Sequence, residues 1–199
     1  MTSSMKVLTG AVVFLLSVLP LIAATTIDFE LGGPCGFAFT SPLSNQYSGS
    51  GVVFSGPGSG LGGAVLNQCS NFGINAHSGV DFLAFNNATY GVGPETIQFS
   101  TLQSQVSIWA GDGFDSGNSF TLAAYDMTNN LLVSDTVLNV TGQWVLLSVS
   151  ASGIDHVTLD YNSGVAVWDD LSYTSIPEPG TLLLLGGGLL GTLSRLRKR

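Results

Sequence analysis

From Gly79 onward the chain is a succession of short apolar runs cut apart by turn residues, and that rhythm leaves it few folds to choose from. The runs are Asp81 to Asn86, Glu95 to Phe99, Gln103 to Ala110, Phe120 to Asp126, Leu131 to Val140, Trp144 to Ser150, Asp155 to Tyr161 and Val165 to Tyr173. Between them stand Gly91 to Pro94, Gly111 to Asn118, Asn129-Asn130, Thr141-Gly142, Ser152-Gly153 and Asn162 to Gly164. Strand-length runs at intervals of about 10 residues, with no amphipathic helix between them, predict an all-β, two-sheet β-sandwich. Thr25 to Leu31 adds a first strand, with Ile27, Phe29 and Leu31 on one face and Asp28 and Glu30 on the other. The stretch from Gly32 to Gly79 is rich in Gly, Ser, Pro and Asn, and within it only Gly51 to Ser55 reads as a strand. So long an irregular span is usually functional or tied by a disulfide, and it is the expected variable surface.

The two ends of the chain have a different character. Lys6 precedes the apolar run Val7 to Ile22, which is broken at Pro20 and followed by the small residues Ala23-Ala24. That order predicts a signal peptide over residues 1–24, handled by the Sec machinery and signal peptidase. At the other end, Pro177-Glu178-Pro179-Gly180 leads into the apolar stretch Thr181 to Leu193 and then the basic Arg195, Arg197, Lys198 and Arg199. The prolines fix φ and remove two backbone donors, so the lead-in is extended and accessible. The 13 residues from Thr181 to Leu193 would span about 20 Å as a helix, short of a bilayer core of about 30 Å. This is a marginal transmembrane segment with its basic end on the cytoplasmic side. It suits a transient anchor that is later removed, as in lipid-anchor signals.

The tail resembles the PEP-CTERM sorting signal of Gram-negative bacteria. The resemblance rests on the Pro177-Glu178-Pro179 triplet, the apolar segment and the basic end, and covers residues 176–199. It implies recognition by an exosortase, processing near the triplet, and a link to exopolysaccharide or biofilm matrix. The expected destination is the cell surface or extracellular matrix, after a transient stay in the inner membrane. Between leader and tail lies one domain, residues 25–175, long enough for a real core.

Charge restricts the partners of that domain. Its 151 residues contain no Lys and no Arg, because all 5 basic residues sit in the leader and the tail. It keeps 12 of the chain's 13 acids, the other being Glu178. Such a surface repels nucleic acid and anionic lipid, which need basic residues to neutralise phosphate. It would instead attract divalent cations or neutral ligands. Cys35 and Cys69 are the two cysteines; after export they are expected to form a disulfide, the other reading being two buried thiols.

The element order from Thr25 to Tyr173 resembles the jelly-roll sandwiches of carbohydrate-binding modules and galactose-binding-like domains. The matching pieces are Ile27-Asp28-Phe29-Glu30, Phe120 to Asp126, and Val167-Trp168-Asp169-Asp170-Leu171. That resemblance implies a structural Ca²⁺ between the first and last strands. Its candidate ligands are Glu30 and Asp170, with Asp28 and Asp169 behind them, the alternative being solvated strand-edge acids. Strand alternation places Val165, Val167, Asp169, Leu171 and Tyr173 on the core face, and Trp168 and Asp170 on the other. A buried Asp169 is costly unless paired or metal-bound, and the domain has no Lys or Arg to pair it.

Catalysis finds little in this sequence. His77 and His156 have no Gly-x-Ser-x-Gly elbow with them and no zinc-ligand spacing. No carboxylate pair is marked for glycoside hydrolysis, so no catalytic residue is assigned and the domain is expected not to be an enzyme. Trp109, Trp144, Trp168, Tyr47, Tyr90, Tyr125 and Tyr161 could stack on a sugar if exposed. The expected role is a structural or binding component of the exopolysaccharide matrix. A dedicated carbohydrate-binding module is the alternative, and a glycan hydrolase the more distant one.

Overall fold

The computed structural model describes residues 24–36, 41–85, 93–162 and 165–176. The expected leader up to residue 23, the Pro177-Glu178-Pro179 triplet, the apolar segment and the basic end lie outside them, as does Tyr90. Among the described residues no helix is long and apolar enough to cross a membrane.

The described chain runs through β1 (Thr25–Ile27), β2 (Val52–Ser55), β3 (Ala64–Asn67), β4 (Asp81–Ala84), β5 (Glu95–Asp112), β6 (Ser119–Tyr125), β7 (Leu131–Leu138), β8 (Gln143–Tyr161) and β9 (Val167–Ser175). Neighbouring strands are antiparallel throughout. The runs expected as separate strands on either side of residue 101 are one 18-residue strand, β5. The runs on either side of Gly153 are likewise one 19-residue strand, β8. Each is bent and serves both layers. Register shifts between Gln98, Gln103 and Gln105 mark the bend in β5, and Gly153 at φ 86° supplies a left-handed residue at the bend in β8. One layer runs β2, the first half of β5, the second half of β8, β6 and β7. The other runs from the first half of β8 through the second half of β5 to β9, whose far edge is shared end to end by β1 and β4, with β3 outside β4. The result is an all-β sandwich, and its main core lies between the layers. Phe54, Ile97, Ile108, Phe120, Leu122, Leu147, Val157, Trp168 and Leu171 are among the residues buried there.

Two departures from simple alternation position the acidic residues. The first strand ends at Ile27 because the backbone turns at Phe29, whose φ is 58°. Phe29 is still fully buried, edge-on to Tyr47 and Phe54, whereas Leu31 is 48% exposed and not on the core face. In β9, the pairing steps from Ser107 opposite Ser172 to Trp109 opposite Asp169, so three residue steps on β9 face two on β5. The extra residue is accommodated at Asp170, with φ 49°. This bulge reverses the inside–outside parity. Trp168 therefore enters the main core, where it packs edge-on to Phe120. The expectation that Asp169 shares the core face with Leu171 and Tyr173 is corrected: Asp169 is buried, but on the outer side of the sheet with Val167.

That outer side is covered by the chain between β3 and β4. Phe72 and Phe82 pack edge-on at 5.3 Å and join Leu66, Ala84 and Val167 in a second, smaller core. Part of the span expected to be irregular surface is thus an apolar strap over the sheet, and it includes β3, a strand not apparent in the sequence. Cys35 and Cys69 are disulfide-bonded, with Cα atoms 5.3 Å apart, at the root of the strap.

Candidate functional site

The strap brings its backbone N–H groups onto the acids of β9. Asp169 Oδ2 accepts from His77 N (2.9 Å) and Ser78 N (3.1 Å), and its Oδ1 accepts from Asp170 N at 2.8 Å. Burial nevertheless dominates, and lifts the Asp169 carboxyl to about 6 against these donors. On the solvent side, Asp170 takes His77 Nδ1 at 2.6 Å on one oxygen and Ser78 Oγ at 2.6 Å on the other. Glu30 Oε1 accepts from Val80 N (2.7 Å) and Asp81 N (2.9 Å). Asp81, fully buried, accepts from Gly33 N (2.7 Å) and Asn67 Nδ2 (2.9 Å). Asp28 Oδ1 takes Glu30 N at 3.3 Å. In place of the absent lysines and arginines, the domain neutralises its acids with backbone amides.

Three of the four acids considered for Ca²⁺, Glu30, Asp169 and Asp170, therefore border one short segment, residues 77–81, and Asp28 adjoins them through Glu30. Their chemistry suits a hard cation. In this structure the oxygens of Asp169, Asp170 and Glu30 that face segment 77–81 accept its N–H and O–H donors. Among the described residues no three His, Cys, Asp or Glu side chains are grouped to hold a metal ion. The phenol of Tyr47 lies in the same field: burial, then the charges of Asp28, Asp81, Glu30 and Asp169, push its ionisation upward. Its Oη has no hydrogen-bond partner.

Beside this segment, aromatic rings emerge on the outer face of the sheet. Val106, Ile108 and Ala110 of β5 and Leu147 and Val149 of β8 turn inward, so Trp109 and Trp144 turn outward. His77 stacks on Trp109 at 4.2 Å and meets Trp144 edge-on at 5.6 Å. Trp144 Nε1 donates to Asn75 O at 3.0 Å. Its ring crosses Gly111, where an added Cβ would come within 3.3 Å of it, so the close approach depends on glycine. Both tryptophans are half-buried, and Leu146, opposite Trp109, is 46% exposed. The structure thus brings together Trp109, Trp144 and His77, and separates from them Trp168, which is sealed in the core. Tyr125 lies elsewhere, stacked on His156 at 5.1 Å, and Tyr161 packs against Phe85 at 4.9 Å.

Glu95 was missed from the sequence. It opens β5, in phase with the core residues Ile97 and Phe99, and it is fully buried. Its Oε2 accepts from Gly63 N at 2.9 Å, while Oε1 has no partner. Burial raises its pKa to about 8, with the Gly63 N–H opposing. Period-two alternation alone would have placed it inside. The loop against it is glycine-rich because a Cβ at Gly62 would stand 2.6 Å from Oε2.

The class of protein follows from the chain's end together with its fold. Residues 175–198 match the PEP-CTERM protein-sorting motif, so this all-β sandwich carries an exosortase sorting signal. It is an exported protein, anchored transiently in the membrane before processing. The fold is similar to that of the K2 cleaved adhesin domain of Lys-gingipain (Kgp), at 16% identity and a TM-score of 0.51, over 76% of this chain and 99% of that one. A looser likeness, with a TM-score of 0.43 and 15% identity over 67% of this chain and 91% of that one, is to the C-terminal family 22 carbohydrate binding module of Clostridium thermocellum Xyn10B. Another is to the CBM22-1 xylan-binding domain from Paenibacillus barcinonensis Xyn10C, at 12% identity and a TM-score of 0.39 over 76% and 93%. No curated protein matches the chain.

Proposed function

We propose that the sorted domain is a non-catalytic binding component of the extracellular exopolysaccharide matrix, and that it contacts glycan through the outer sheet face around Trp109 and Trp144. The observation that carries this reading is the grouping of two half-exposed tryptophans, beside exposed Leu146, on one face while the third tryptophan is fully buried. Half-exposed indoles offer apolar area with a polar edge, which suits the apolar faces of pyranose rings. A domain with no Lys or Arg favours neutral glycans over anionic ones. The acids support a non-catalytic role, since Glu30, Asp81, Asp169 and Asp170 are each engaged by internal donors.

The test is binding of purified residues 25–175 to an array of bacterial exopolysaccharides and simple glycans, with and without Ca²⁺. Saturable binding that is lost in Trp144→Ala, with the fold intact, is the expected result. No binding in either condition would leave a purely structural surface role. A structural Ca²⁺ at Glu30, Asp170, Asp28 and Asp169 belongs to the same proposal, and it requires segment 77–81 to exchange some of its hydrogen bonds for the ion. It predicts that chelation lowers the melting temperature; unchanged melting with EDTA and with added Ca²⁺ removes it.

A further inference from the structure

The chain enters and leaves the sandwich at the same pole. β1 pairs antiparallel with β9, and Thr25 stands opposite Tyr173. Cα atoms so paired are about 5 Å apart. At this pole β5 and β8 make their bends, since Gln103 pairs with both Ile154 and Ser175. The loops 113–118 and 139–142 lie at the other pole, where Asp112 pairs with Gln143.

The exit is held firmly. Ile176 N donates to Leu102 O at 3.0 Å, and Ser175 Oγ donates to Gln103 Oε1 at 3.2 Å. Gln103 is itself 1% exposed and donates through Nε2 to Thr101 O at 2.6 Å. The sorting motif begins at residue 175, so motif and fold overlap with no free linker between them. From Ile176 to Thr181, the first residue of the apolar segment, the chain can reach at most about 18 Å. The half of β5 from 105 to 112 is itself about 24 Å long.

We propose that the sandwich stands end-on at the membrane during sorting. The pole containing Leu102, residues 151–153 and the turn at 127–130 faces the bilayer, and loops 113–118 and 139–142 face away. This inference rests on the reading of the tail as a membrane-inserted sorting segment. Because Trp144 follows directly on the outward pole, the same geometry turns the aromatic face away from the lipid.

The full-length precursor, with its tail intact, would be reconstituted in phosphatidylcholine vesicles. Ser152→Cys at the inner pole and Ser116→Cys at the outer one would each carry an environment-sensitive fluorophore. The readout is quenching by headgroup-spin-labelled lipid. Loss of most of the signal at 152, with none at 116, is expected. Thr128→Cys and Thr141→Cys repeat the comparison on the other layer. Equal quenching at both poles, or stronger quenching at the outer one, in precursor that floats with the vesicles overturns the orientation alone. Precursor that does not float overturns the membrane reading and the orientation with it. A long Gly-Ser insertion between Ile176 and Pro177 is expected to abolish the difference; its persistence would show that the short tether does not orient the domain.

Discussion

Four acids are fully buried among the described residues, Asp81, Glu95, Asp112 and Asp169, with no lysine or arginine in the domain to meet them, and the fold treats two of these, Asp169 and Glu95, in opposite ways. Asp169 lies under the strap, with three backbone N–H groups on its two oxygens. Glu95 lies under the glycine-rich loop, with one N–H on one oxygen and nothing on the other. The first is built into its surroundings as an anion's binding site would be. The second is a carboxyl group tolerated in its neutral form. Backbone amides can stand in for cations only where the chain can be folded back over the acid; the strap over β9 does this, and Gly62-Gly63 does so only in part.

The sharpest test of that contrast is pH. With Glu95 raised from an ordinary 4.5 to about 8, the unfolded chain releases its proton first as pH rises, and the folded chain retains it. Stability from this group is complete below the ordinary value and is lost as pH climbs towards 8, a loss of order 4 kcal/mol. Asp169, raised to about 6, acts in the same direction over a narrower window. Asp126 acts oppositely: the Asn130 side chain foremost, then its backbone, holds its pKa well below the usual range, so its contribution disappears only in strong acid. Melting temperature should therefore fall from pH 5 to pH 8. Glu95→Gln should flatten most of that slope, and a slope unchanged in the variant would remove Glu95 as its source.

Loosening the strap comes next in size. The Cys35–Cys69 bond closes a loop with a sequence separation of 34, so replacing both cysteines by alanine should cost about 3 kcal/mol in chemical denaturation. The replacement should also raise hydrogen exchange at the His77 and Ser78 amides while leaving Gly63 unaffected. Asp169→Ala, which strands three donors, should cost about 2 to 3 kcal/mol, independent of pH above 7. If it proves neutral, the satisfied acid is no better off than the unsatisfied one and the contrast fails. The smallest effect is expected from His77→Ala, about 1 kcal/mol from the lost stack on Trp109 and the contact with Asp170. Trp109 fluorescence should become more solvent-like in that variant.

The sandwich was legible in the spacing of apolar runs, because turn residues such as Asn129-Asn130 and Thr141-Gly142 punctuate β6, β7 and β8 where the chain reverses. The bends inside β5 and β8 were not, since the alternation breaks at each bend, with Ile97 and Phe99 giving way to Val106 and Ile108 in β5, and a strand that changes layer then looks like two strands with a poor turn. The face of Asp169 was misread for a related reason. One left-handed residue, Asp170, shifts the parity, and nothing in Trp168-Asp169-Asp170-Leu171 announces it. The acids near segment 77–81 were recognised as belonging together, but the strap amides that hold them are 92 residues before Asp169 and 50 residues after Glu30, beyond the reach of any local pattern. Glu95 was within reach, because Glu95, Ile97 and Phe99 alternate plainly.

The placement of β9 has a mechanical consequence. It is flanked along its length, by β5 on one side and by β1 and β4 on the other. A pull transmitted through residue 176 runs along the strand axis. Its hydrogen bonds to both flanks would be loaded together in shear, where a strand peeled sideways would surrender them one at a time. A domain tethered through this strand to a surface, and tugged by a bound polymer under flow, would resist with many bonds in parallel.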